Sequence, residues 1–90
     1  MRLKDSIRIR RVAGEYILAD LSASTVNLNK VFCLNGSAAW LLDQVKDRIF
    51  SESEMTALLC GEYDVDEKTA SDDVGNLVKL LHGYGLLTDD

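Results

Sequence analysis

The hydrophobic period of this chain changes once, at Asn35. Before it, "SIRIRRV" sets Ile7 and Ile9 against Arg8 and Arg10 at a spacing of two, which describes a strand with one dry and one wet face. After it, Ala38, Leu41, Leu42, Val45 and Ile49 recur at steps of three and four, which describes an amphipathic helix. Strands grouped before helices point to an α+β fold and away from a parallel sheet built of βαβ units.

The N-terminal half reads as three strands. "SIRIRRV" turns at "AGE" into "EYILAD", giving a hairpin, and "KVFCL" is a third short strand. Between them, "LSASTVNLN" is polar and β-branched, and is expected to be a loop or an extension of the hairpin arms. Three helices follow. Asn35 can cap the first, "GSAAWLLDQVKDR", because its side chain accepts from the orphan amides of the first turn. Trp40 sits beside that helix's apolar stripe and reads as core or core rim before it reads as a platform for a ligand. Ser51 and Glu54 have capping-box spacing for the second helix, Leu58 and Leu59 form its apolar face, and Gly61 can end it. Asp66 can cap the third, whose core side is Ala70, Val74, Leu77, Val78 and Leu81. Gly83 is placed to end it, and "YGLL" packs back as an extended tail. Gly75 falls inside this helix, where glycine costs about 1 kcal/mol against alanine. It is either tolerated, or packed closely on another helix, or a bare patch of backbone that lets something approach. With 90 residues, no proline, no repeat and no linker, residues 1–90 are expected to form a single domain.

Charge excludes several functions. The chain holds 10 Lys+Arg and 15 Asp+Glu, net −5. Residues 1–20 carry five basic and three acidic side chains, and residues 21–90 carry five and twelve. Arg8, Arg10 and Arg11 make the basic cluster, which is either a solvated strand face or a contact for an acidic partner. Nucleic-acid affinity needs cationic side chains for phosphates, so no nucleic acid is expected as partner. No apolar run reaches membrane-spanning length, and "MRLKDSIRIR" lacks the apolar core of a signal peptide; a cytoplasmic location is expected. Cys33 and Cys60 stand alone among apolar neighbours and read as buried free thiols rather than as a disulfide or a metal site, which are the lesser readings. His82 falls in the last turn of the third helix, where the helix dipole favours a cation. Asp72-Asp73 and Asp66-Glu67 are neighbours about 100° apart on a helix, so they do not converge as an acid–base pair. No spacing supports an enzyme, a metal site or a cofactor.

Four segments carry a resemblance to a known family. They are Leu34-Asn35 leading into Ser37-Ala38-Ala39 and Trp40, the acidic, hydroxyl-rich start of the second helix, "EYDVDEKTASDDV", and the closing Leu81…Gly85-Leu86-Leu87. In this order they resemble the PqqD family, the small proteins named for pyrroloquinoline quinone biosynthesis. The resemblance implies a winged-helix-like domain, a small antiparallel sheet packed on three helices. It implies a non-catalytic peptide chaperone, also called a recognition element for ribosomally made, post-translationally modified peptides. Such a domain binds the leader of a precursor peptide and presents it to a separate modifying enzyme, often a radical SAM protein. The loop 21–29 is longer than the compact hairpin of that family.

By the same resemblance, the leader adds as a strand to the third strand and lies against the third helix. On this sequence that implies Lys30, Val31, Phe32, Cys33 and Leu34 on the strand, and Asp73, Asn76, Leu77 and Leu80 on the helix. Val31 and Cys33 face one side of the sheet, and Lys30, Phe32 and Leu34 the other. Leu80 is an apolar exception on a polar outer face, a candidate pocket wall, and Gly75 can leave room beside it. Two other readings stay open. One is a winged-helix DNA-binding or regulatory domain, against which the acidic third helix argues, with Lys68 and Lys79 set against Asp66, Glu67, Asp72 and Asp73. The other is a homodimeric adaptor subunit that pairs its own edge strands.

Overall fold

Local chemistry fixes the hairpin first. In the computed structural model, which describes residues 1–20 and 31–88, β1 spans Arg2–Leu3, β2 Ile7–Val12, β3 Glu15–Asp20 and β4 Val31–Leu34. Ala13 (φ 53°) and Gly14 (φ 83°) form a two-residue turn with both residues left-handed, the geometry whose twist matches the flanking strands. Pairing is antiparallel in the order β2-β3-β4, with Leu18 opposite both Ile9 and Phe32. Alternation then puts Ile9, Leu18, Phe32 and Leu34 on the core face, and Arg8, Arg10, Ile17 and Cys33 on the other. The expected loop 21–29 lies outside the described residues.

The helices α1 (Gly36–Val45), α2 (Glu52–Glu62) and α3 (Glu67–Gly83) begin where the caps allow. Asn35 accepts from the Ala38 amide (2.8 Å), Ser51 from Glu54 (3.2 Å) and Asp66 from Thr69 (2.7 Å). A hydrogen bond from Arg48, with help from Ser51, holds the Glu54 carboxyl below its ordinary pKa. The core gathers one face of each helix against the sheet: Leu18, Leu41, Leu42, Val45, Met55, Val74 and Leu81 are all essentially inaccessible.

Three expectations are corrected. The first helix ends at Val45, not Arg48, because the Lys46 amide closes on Leu42 and Asp47 turns left-handed (φ 67°). Ile49 therefore leaves the stripe and is 61% exposed, while Phe50 enters the core in its place. Gly61 does not end α2, which runs on to Glu62 with Tyr63 as its cap. Nor does Gly83 supply the left-handed stop for α3. That residue is Gly85 (φ 69°): its amide donates to His82 (3.1 Å) and the Leu86 amide to Leu81 (2.9 Å), the paired bonds of a Schellman cap. The cap sends Leu86 into the core and the tail into β5 (Leu87–Thr88), which pairs with β1 in a second, two-stranded sheet. That sheet comes in addition to the three expected strands. Among the described residues, no helix is long and apolar enough to cross a membrane.

Candidate functional site

β4 lies at one edge of its sheet. Val12 and Glu15 flank the two-residue turn and close the hairpin as a hydrogen-bonded pair. Along β3 the bonds then alternate: Glu15, Ile17 and Ala19 turn toward β2, and Tyr16 and Leu18 toward β4. Leu34 and Phe32, opposite Tyr16 and Leu18, use their backbone groups inward. The N–H and C=O groups of Val31 and Cys33 consequently point out of the sheet, a row ready to take another strand.

Beside the end of this strand lies a groove of about 290 Å³ between α1 and α3. Ala38, Leu41, Leu59, Val74, Leu77 and Leu80 make its apolar walls, and Asn35, Ser37, Asp73 and Asn76 its polar lining. All four helix residues expected from the sequence, Asp73, Asn76, Leu77 and Leu80, are thus brought together. Leu80 is 37% exposed and Leu77 is partly buried against the core, so both present apolar surface to the groove. At the C-terminal end of α3, one turn beyond Leu80, the Phe32 ring packs on Tyr84 with centroids 4.4 Å apart. This contact ties β4 to the end of the helix.

The strand residues divide. Phe32 and Leu34 face the core and are half-buried. Cys33 is a free thiol as expected but is exposed rather than buried, because it pairs with Ile17 on the outer face of the sheet. Cys60 is free and half-buried. The backbone of Val31 belongs to the edge, and Lys30 lies outside the described residues. Gly75 does not line the groove, and a Cβ there would meet nothing within 4 Å, so close packing on another helix does not call for glycine.

Asn35, Ser37, Ala38, Leu41, Leu59 and Val74 complete the lining and were not among the expected site residues. Their sequence signal is the small-residue run Ser37-Ala38-Ala39 directly after the strand, which leaves space where larger side chains would close the groove. The opposite edge, β2, is guarded. The Arg8 guanidinium donates to the carbonyls of Asp5 (2.8 Å) and Ile7 (2.9 Å), covering backbone that a new strand would need. Among the described residues, no three His, Cys, Asp or Glu side chains gather as a metal site.

Two solved structures share this architecture. TbiB1 in complex with the TbiA(beta) leader peptide is 21% identical, with a TM-score of 0.73 over 100% of this chain and 98% of that one. Lasso peptide synthetase B1 complexed with the leader peptide is 25% identical, with a TM-score of 0.62 over 94% and 93%. Searched against curated proteins, the sequence finds no match. The family model for coenzyme PQQ synthesis protein D (PqqD) matches residues 14–87, from the hairpin turn to the closing strand, and the chain belongs to the PqqD family.

Proposed function

We propose that this chain, as a single domain, is a non-catalytic partner that binds the leader of a ribosomally made precursor peptide and presents it to a separate modifying enzyme. It acts in the cytoplasm, where such a precursor is made. The leader pairs as an added strand with Val31–Leu34 and sets side chains into the groove lined by Asp73, Asn76, Leu77 and Leu80. The observation that carries this reading is the outward backbone row of β4 next to an apolar groove. Main-chain bonds supply affinity in such an arrangement, and pockets for alternate side chains supply selectivity. That both structural neighbours are complexes with leader peptides supports it. The acidic α3 speaks against reading a DNA groove.

The test is an NMR titration of the labelled chain with leader peptides from short reading frames near its gene. Saturable shifts confined to residues 30–34 and 73–80 are expected. Shifts at Arg8–Arg11 instead would move the site to the hairpin, and no shift with any such peptide would remove the proposal.

A further inference from the structure

A second concavity lies on the far side of α1. Ala38 and Leu41 face the α3 groove, whereas Gly36, Trp40 and Asp43 line a cavity of about 490 Å³ between α1 and the β2–β3 hairpin. At about 100° per residue, Ala38 and Trp40 stand roughly 200° apart around the helix. The second cavity is aromatic and basic. Trp40 meets Tyr63 edge-on with centroids 5.7 Å apart, and the Arg11 guanidinium lies 5.6 Å from the Tyr16 ring centre. Trp, Tyr and Arg are the side chains that most often carry binding energy at protein interfaces.

The charges are as telling as the rings. The chain is acidic overall, yet Arg10 and Arg11 are exposed and neither enters an ion pair among the described residues. Asp43, which shares their cavity, is held instead by Lys46 at 2.9 Å. Both arginines line the cavity that Trp40 and Tyr63 share, Arg11 over the Tyr16 ring, and together they leave a cationic, aromatic face on an anionic protein. Its complement is an acidic surface with an apolar side chain at its centre. We propose that this face docks such a surface on the enzyme that modifies the bound precursor. The partner's identity rests on the peptide-binding reading; the chemistry of the surface does not. A single helix about 10 Å wide separates the two grooves, so a leader and an enzyme can be held together. A second copy of the chain fits less well, because β2 edges paired across a two-fold axis would set arginine against arginine.

The test uses the labelled full chain and two synthetic amphipathic helices with the same leucine face, one carrying glutamate on its polar face and the other lysine. A helix cannot add as a strand, so the β4 edge does not compete for it. Saturable shifts at the Arg10, Arg11 and Tyr16 amides and the Trp40 indole are expected with the glutamate helix only. The double variant Arg10→Glu/Arg11→Glu, its fold checked by spectral dispersion, binds that helix about tenfold or more weakly. It binds a leader peptide as before. Equal shifts with the lysine helix, shifts at 73–80 instead, or no shifts overturn the proposal. A concentration-dependent dimer that the double variant abolishes overturns it in favour of a second copy. If the hairpin shifts appear but no leader binds the wild-type chain, the peptide reading falls and this one stands.

Discussion

Replacing Cys33 by proline isolates the contribution of strand addition. The alternation of the ladder points the Cys33 N–H away from β3, so the substitution breaks no bond inside the sheet. Proline is tolerated on an edge strand when its missing N–H faces outward, and Phe32 before it already holds the extended conformation that a following proline demands. A net hydrogen bond is worth about 1 kcal/mol, so losing one donor to the guest weakens binding by about fivefold. The ring also stands where the guest backbone must approach, which makes that figure a floor. The assay is fluorescence anisotropy of a labelled leader peptide, with thermal unfolding as the control for folding. Cys33→Ser, which keeps the N–H, is expected to bind as wild type. Unchanged affinity in the proline variant would refute strand addition at β4. Equal loss in the serine variant would show that the thiol, not the backbone, makes the contact.

Leu80→Glu tests the groove: with its side chain already 37% exposed, it should shift stability by no more than about 0.5 kcal/mol while weakening leader binding about tenfold. Two glycines on and after α3 should respond oppositely to alanine. Gly75→Ala meets nothing and is expected to stabilise by about 0.5–1 kcal/mol, with leader affinity unchanged; a fall in affinity would return that position to the binding site. Gly85→Ala forces an L-residue to φ 69° and is expected to cost about 1 kcal/mol or more, lowering Tm by roughly 4–8 °C. Asp66 supplies a pH test. Hydrogen bonds from Thr69 hold its carboxyl below the ordinary value in the folded state. Its cap therefore contributes fully above the unfolded carboxylate range, about pH 4, and is lost as pH falls through the depressed value. Asp66→Asn keeps a capping oxygen but does not titrate, so Tm measured against pH should fall less steeply in acid; an identical acid limb would refute the assignment.

The elements legible in the sequence were those fixed by local chemistry. Asn35, Ser51 and Asp66 cap because a short polar side chain reaches its own first turn, and the Ile–Arg alternation of β2 survives because one face is dry. What sequence missed depended on meetings between distant segments. Ile49 has helical spacing from Val45, but the chain leaves the helix at Lys46, and Phe50 turns inward instead. Glycines at 83 and 85 are equally suited to a stop, and the choice falls where Leu86 can reach the core beside Leu81. The β1–β5 pair joins residues at opposite ends of the chain in two-residue strands too short to show a period. For the site, the α3 residues were legible through resemblance, whereas Asn35, Ser37 and Leu59 join it only when α1 and α2 dock.

The two edges of the main sheet begin equal, since each exposes a row of backbone groups, and their side chains make them different. On β2, Arg8 folds back on the carbonyls of Asp5 and Ile7, and Arg10 and Arg11 add charge that repels a like edge. Among the described residues β4 has no such guard: its outward residues include the small Cys33, and its inward ones, Phe32 and Leu34, are occupied by Tyr84 and the core. An unguarded edge is an aggregation hazard in a protein that has no guest for it. Three arginines guard one edge and, among the described residues, none guards the other, which is the asymmetry that the proposed covering of β4 calls for. The adjoining apolar groove, which buries side chains of whatever covers it, favours a peptide over a second β4. Two identical edges would pair backbone to backbone and leave both grooves empty.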